Sequence, residues 1–304
     1  YDMDGHFLGY LINSKLVRYQ LNKFGTGSTV MHIYKSDLAN IKVPVINKEM
    51  QIKISKRLES IYKLISITEK LTGLNIDTIK VTDYNAAVEA MRAGRAHIAW
   101  YGGKTYVKAA EIANAEAFAA GVRPGEKDAG YYTYFVVKKD SELKEFKDVK
   151  GKILSLNTIG STSGDLIPQV ELSKINLAIK NKDHFNKVYY AGSHDACLLA
   201  VINNQSDVCG MSSRNFEARL EDGTFKKEYV RIIHKSDRVP PPPLAYSKIV
   251  PKEDRNKIKK AVLEAHKHGE IGGYGGQMSH YMEVKDSDYN VLREVIELLN
   301  KDKS

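Results

Sequence analysis

The hydrophobic pattern changes character once along the chain. Between Asn47 and Leu71, the apolar residues Met50, Ile54, Leu58, Ile61 and Ile65 recur at helical spacing among Lys, Arg and Glu, with no Gly or Pro before Gly73. That periodicity predicts one long amphipathic helix. Upstream, residues 25–29 (Gly-Thr-Gly-Ser-Thr) read as a turn. Residues 38–45 read as an extended segment whose Pro44 keeps it out of the middle of a sheet.

After Gly73 short apolar runs alternate with helical stretches. Strands are predicted over 75–81, 97–100, 132–137, 153–156, 187–190, 208–211 and 230–234. Helices are predicted over 84–93 behind an Asp83 cap, 105–120, 165–173, 195–203 behind a Ser193 cap, 251–268 and 286–300. The alternation predicts an α/β fold with mostly parallel pairing. The Pro240–Pro243 run reads as a stiff connector. The loop Gly272-Gly-Tyr-Gly-Gly276 lacks the Lys and the preceding strand of a phosphate loop, so it reads as a flexible turn.

The 304 residues leave room for two domains, or for one bilobal domain with an addition. A formal charge of +9 does not propose nucleic acid by itself, because acidic residues are mixed through most of the chain. Residues 1–72 carry +5 of it, a denser share than the remaining 232 residues with +4. Cys197 and Cys209 lack metal-type or redox spacing and read as two buried, reduced thiols. No run of about 18 apolar residues proposes a membrane span. The chain starts at Tyr1 without an initiator Met or a secretory leader, which reads as a fragment or a processed form.

The chemistry concentrates at strand ends and helix starts, where open α/β sheets bind ligands. Ser161-Thr162-Ser163-Gly164 follows a short strand and opens a helix, where unpaired N–H groups and the positive end of the helix dipole favour an anion. Taken alone, Ser161 or Thr162 is explained as a helix cap. The same applies singly to Asp83-Tyr84, Trp100-Tyr101-Gly102, Tyr131 and Ser193-His194-Asp195, and it is their convergence at one edge that argues for a site. Hydroxyls, amide N–H groups and one imidazole suit an oxyanion, and none is an activated nucleophile. The Gly160-Ser-Thr-Ser-Gly164 stretch matches a hydrolase elbow only superficially, since its central residue is Thr162. His266 and His268 lie two apart on a helix and make a poor metal pair. The reading is binding without turnover, with no metal or cofactor.

From about Leu71 onward the chain resembles the phosphonate-binding, PhnD-like solute receptors of ABC importers. The resemblance is carried by Val81-Thr-Asp-Tyr-Asn-Ala-Ala-Val-Glu-Ala-Met-Arg92, Ala96-His-Ile-Ala-Trp-Tyr-Gly102, Gly130-Tyr131, Ser161-Thr-Ser-Gly164, Ala191-Gly-Ser-His-Asp-Ala196, Ala200-Val201 and Asp207-Val208. It implies a type II periplasmic-binding-protein fold: two α/β lobes and a hinge, closing on ligand. Lobe 1 would be 73–132 with 238–304, and lobe 2 would be 133–237. By the same resemblance Tyr84 and Tyr131 contact the ligand from the first lobe and hinge. Ser161, Thr162 and Ser163 cradle it, and His194 donates from the second lobe. Trp100, Tyr101, Asp195 and Arg214 are further candidates for contacts to the ligand's side chain. The implied partners are a small phosphonate or phosphite and a membrane permease, and the implied location is extracytoplasmic, periplasmic or lipoprotein-anchored. A chain expressed as written, without a leader, would stay cytoplasmic.

Aminophosphonate-binding members hold the ammonium with two carboxylates, and here Arg214 and the proline run near Pro242 stand at those positions, with Glu217 and Asp237 nearby. An alkylphosphonate or phosphite, without an obligatory amine, is therefore expected. Residues 1–72 instead resemble the end of a recognition domain and the spacer helix of type I restriction specificity subunits. Gly25-Thr-Gly-Ser-Thr-Val30, Ile33, Leu38, Ile41-Lys-Val-Pro44 and Gln51-Ile-x-Ile54 carry that likeness. It implies DNA or methylase subunits as alternative partners. The receptor family's first strand has no counterpart, and the helix ending at Leu71-Thr-Gly73 would be supplied by this head. Either the head provides a substitute strand or the first lobe is compromised.

Overall fold

The computed structural model describes residues 3–12, 14, 17, 19–20, 41–42, 47–79, 81 and 83–301. The turn expected at 25–29 and most of the extended segment at 38–45 lie outside them. The chain forms two compact units, residues 1–62 and 63–304. In the first, helix α1 (Gly5–Ile12) opens behind Asp4, whose carboxylate accepts from Phe7 N at 2.8 Å. Its apolar face buries Phe7 and Leu11 with Val17, beside half-buried Ile41 and Ile54.

The long helix is α2 (Lys48–Thr72), within a residue of its predicted ends. It stops where Gly73 takes φ +73° and donates to Glu69 O at 2.8 Å, the left-handed exit that glycine adopts most easily. The boundary between units falls inside this helix, after Tyr62, rather than at residue 72. The reason is packing: Leu64 is buried and Ile67 partly buried among Phe118, Leu244 and Val262 of the second unit.

The second unit holds two larger sheets and a two-stranded one. The first draws on β1 (Ile98–Trp100), β2 (Ala115–Val122), β8 (Pro243–Ser247) and β11 (His280–Glu283), in the order β1-β8-β2-β11. Helices α3 (Tyr84–Arg92), α4 (Gly103–Ile112), α8 (Lys252–Glu264) and α9 (Asn290–Lys301) accompany it. The second sheet uses β3 (Thr133–Lys138), β4 (Ile153–Leu156), β5 (Lys187–Tyr190), β6 (Val208–Ser212) and β7 (Val230–Lys235), in the order β5-β4-β6-β3-β7. Its helices are α5 (Ile167–Ser173), α6 (His194–Ile202) and α7 (Ser213–Glu221). Two crossing strands join the halves at Tyr131 and Val239, whose backbones exchange hydrogen bonds of 3.1 and 2.7 Å.

Four expectations from the sequence are corrected. Residues 105–120, expected as one helix, split into the end of α4 and most of β2 around Asn114, which takes φ +51°. Ala115, Ala117, Ala119 and Ala120 are all buried, because β2 lies between neighbouring strands with apolar clusters on both faces. Small side chains suit that position, and their composition imitates a helix. The proline run is a connector only as far as Pro242. Pro243 begins β8, opposite Ala120, at the first strand position where a missing N–H is tolerated.

Pairing is mostly antiparallel, with β4–β5 and β4–β6 the parallel pairs. The strands that follow each crossing, β3 and β8, run against both neighbours. Residues 75–79 and 81 form no strand, and Ile79 and Val81 are exposed. A strand needs a ladder partner. The sheet ends at β1, and the described residues of the head hold helices and no strand.

Two local readings change as well. Cys197 on α6 and Cys209 on β6 form a disulfide, since the helix lies over the strand with their Cα atoms 5.6 Å apart, a bridging distance. The glycine-rich loop is a hairpin, β9 (Ile271–Gly273) paired with β10 (Gly276–Met278).

Candidate functional site

The end of β4 leads into a loop whose backbone is set by its own polar groups. Asn157 N donates to Gly164 O (2.9 Å), and Asn157 Nδ2 donates to Ser161 Oγ (3.2 Å). Ser161 Oγ also caps the helix start by accepting from Gly164 N at 3.1 Å. The helix begins as a wide π-type turn, Thr162–Leu166, before continuing as α5. Gly164 is required, because a Cβ there would stand 2.3 Å from Asn157 Cβ and 3.1 Å from His194 Cε1. Ser161, Thr162 and Ser163 are each 2% exposed, so the three hydroxyls form an inward cradle.

His194 is the first residue of α6, behind the Ser193 cap that receives Ala196 N at 3.0 Å. Ser212 N donates to its Nδ1 at 3.3 Å. Burial holds the imidazole pKa down at about 4, so the ring is neutral near pH 7. With Nδ1 accepting, the ring proton sits on Nε2, and Nε2 is buried without a partner. The cradle therefore faces an unspent N–H donor.

The first lobe supplies the other wall. Asp83 caps α3 by accepting from Ala86 N (2.9 Å), and Tyr84 follows it with its Cβ against Gly160 of the cradle loop. Tyr131, on the hinge, is 2% exposed. Burial pushes its phenol up to about 12, offset partly by the Ser163 hydroxyl and the Arg214 charge beside it. Helix α4 points its N-terminus at the cradle: Lys104 N donates to Thr162 Oγ1 at 2.9 Å. Its glycines permit this approach, since a Cβ on Gly102 would lie 3.1 Å from that hydroxyl.

Sequence reasoning missed Lys104 and Asp165. Lys104 Nζ crosses to the buried Asp165 carboxylate at 2.5 Å, and that carboxylate also accepts from Tyr190 OH (2.8 Å), Gln169 Nε2 (2.7 Å) and Gly160 N (3.2 Å). The available signal was a lysine just inside a helix start after two glycines, and an acid beside the hydroxyl cluster. Thr158 Oγ1 and Ser212 Oγ, also unforeseen, are buried hydroxyls without partners.

The structure brings together Tyr84, Tyr131, Ser161, Thr162, Ser163 and His194. Three of the further candidates are placed elsewhere. Tyr101 is buried in the core with its hydroxyl on Ala87 O (3.3 Å), and Trp100 packs against the cluster of Phe118 and Leu244. Asp195 pairs with Arg219 Nε at 2.7 Å on the half-exposed side of α6. Arg214 is 1% exposed, lies 5.7 Å from the Tyr131 ring centroid and donates from Nη2 to Gly121 O (2.9 Å) and Ala129 O (2.5 Å). Among the described residues no cluster of His, Cys, Asp or Glu is arranged to hold a metal.

Two α/β lobes, two crossings and a polar cradle between them define a type II periplasmic-binding-protein fold. The chain belongs to the phosphonate-binding periplasmic substrate-binding proteins of ABC transporters, whose family profile matches residues 55–289. It is similar to the phosphonates-binding periplasmic protein of Escherichia coli (strain K12), with 30% identity over 214 residues, 64% of this chain and 62% of the relative. The match thus spans less than two thirds of that relative's length. A probable ABC transporter phosphite-binding protein, PhnD1, of Prochlorococcus marinus (strain MIT 9301) is 30% identical over 190 residues, 60% of this chain and 61% of the relative. The structure of PhnD1 in complex with methylphosphonate shares the fold, with TM-score 0.69 and 21% identity over 85% of this chain and 96% of that one. None of these relatives is a restriction subunit, and the likeness of the head to one receives no support.

Proposed function

We propose that this chain binds a small phosphorus oxyanion, an alkylphosphonate or phosphite, between its lobes without turning it over, and delivers it to a membrane permease. The observation that carries the reading is His194: a neutral, buried imidazole whose Nε2–H has no acceptor, set against three buried hydroxyls at a helix start. An oxyanion takes hydrogen bonds from all of these donors together, and its charge makes them stronger than those to a neutral acceptor. The relatives' names, a phosphonates-binding protein and a phosphite-binding protein, point to the same ligand class. No group in the site is placed as an activated nucleophile, which supports binding over catalysis.

The two acids nearest the positions of the ammonium-holding carboxylates are engaged elsewhere, which favours ligands without an amine. Glu217, one of the two nearby acids, accepts from Tyr134 OH at 2.8 Å and pairs with Arg123. Asp237, the other, is 90% exposed and pairs with Lys174 at 2.7 Å. Arg214 adds a cation where an amine would have to sit. The Cys197–Cys209 disulfide fits an oxidising, extracytoplasmic compartment, as does the periplasmic family.

Calorimetry tests this directly with phosphite, methylphosphonate and 2-aminoethylphosphonate. The first two are expected to bind, and preference for the aminophosphonate would overturn the amine-free reading. His194→Asn is expected to weaken binding by roughly 10- to 100-fold, the worth of one hydrogen bond to a charged group. Absence of binding by any phosphorus oxyanion would overturn the whole proposal.

A further inference from the structure

The glycine-rich hairpin is built around one side chain. In the β9–β10 hairpin Gly273 pairs with Gly276, so Tyr274 and Gly275 form the tip. The glycines are imposed from both sides. A Cβ on Gly273 would lie 2.3 Å from Tyr281 Oη, and Gly275 combines φ +93° with a Cβ position 3.3 Å from Arg214 Cβ. The backbone thus passes between a first-lobe tyrosine and a second-lobe arginine, and Tyr274 is left to project from the tip.

Tyr274 Oη lies 3.1 Å from Tyr84 Oη. Its phenol is held protonated well above its ordinary range, first by burial, then by the neighbouring Tyr84 and Tyr131, with Arg214 acting the other way. It therefore shares its surroundings with the hinge tyrosine and with Arg214. A single bond between two phenols uses one of their two protons. If Tyr274 donates, Tyr84 keeps its own proton for another acceptor, and accepting a hydrogen bond makes a hydroxyl a stronger donor.

We propose that Tyr274 is a positioning residue of the oxyanion site: its hydroxyl donates to Tyr84 Oη and aims the Tyr84 proton at the ligand oxygen. This rests on the reading of the cradle as a phosphorus-oxyanion site.

The test is a double-mutant cycle on the full chain, with phosphite and methylphosphonate as probes. Tyr274→Phe keeps the ring and removes the donor, and is expected to weaken binding by about fivefold, with the unliganded melting temperature preserved. In a Tyr84→Phe background the same change is expected to do nothing further, because Tyr274 acts through Tyr84. Wild-type affinity in Tyr274→Phe, or losses that multiply in the double variant, would overturn the inference and leave the site itself standing. If the wild type binds neither probe, the oxyanion reading fails and this inference with it.

Discussion

At the scale of single residues the site is governed by what burial does to polar groups. His194 titrates near 6.5 in an unfolded chain but stays neutral to about pH 4 in the folded one. The unfolded state therefore takes up the proton first as pH falls, so this contribution to stability is complete above pH 6.5 and is lost between 6.5 and 4. The loss amounts to roughly 3 kcal/mol. Denaturant melts from pH 7 to 4 should show it, and His194→Gln should flatten that part of the profile. Ser161, Thr162, Ser163 and His194 were legible in the sequence because a hydroxyl cluster at a strand end and an imidazole behind a serine cap are local patterns. Lys104, Asp165 and Tyr274 were not, because each acquires its role from a partner 61 or 190 positions away.

Elements show the same division between local and distant causes. The long helix and the capped helices α3 and α6 were read correctly, since periodicity and caps are written within a few residues. Strands β2 and β8 were not, because alanines and a proline mark a sheet interior only once their neighbours are known. The start of α4 is where this long-range fit is tightest. A Cβ on Gly103 would lie 2.4 Å from Leu292 Cδ1, with Thr162 3.7 Å away. Gly103→Ala is expected to cost about 1–3 kcal/mol through overpacking. It should also weaken phosphite binding by displacing α4 from Thr162, which urea melts and calorimetry on one variant would separate. The long helix, by contrast, should tolerate Glu69→Gln at its half-buried position, because the amide oxygen can still accept from Ile76 N, now 2.8 Å from the Glu69 carboxylate.

At the scale of the molecule a disulfide fastens elements within the second lobe, and hydrogen bonds tie the two lobes to each other. The disulfide closes a short loop, with the cysteines twelve positions apart, and fastens α6 with its His194 onto β6. Reduction is expected to lower stability by about 3 kcal/mol. Differential scanning calorimetry with and without dithiothreitol should then show a melting temperature roughly 5–10 °C lower. Across the cleft, Arg123 donates to Arg214 O (3.3 Å) and to Glu221 (2.7 Å), while Arg214 reaches back to Gly121 O. Each lobe thus holds a backbone carbonyl of the other's arginine or strand.

The Lys104–Asp165 pair has a consequence for unloading. The lysine pairs with a carboxylate that follows directly on the Ser161–Ser163 hydroxyls. Were the pair parted with the proposed anion bound, Asp165 would keep only the neutral partners Tyr190, Gln169 and Gly160 N, and a carboxylate that close to an anion would repel it. Asp165→Asn should accordingly slow ligand dissociation in stopped-flow measurements, and faster release from that variant would show that the carboxylate serves only to shut the cleft.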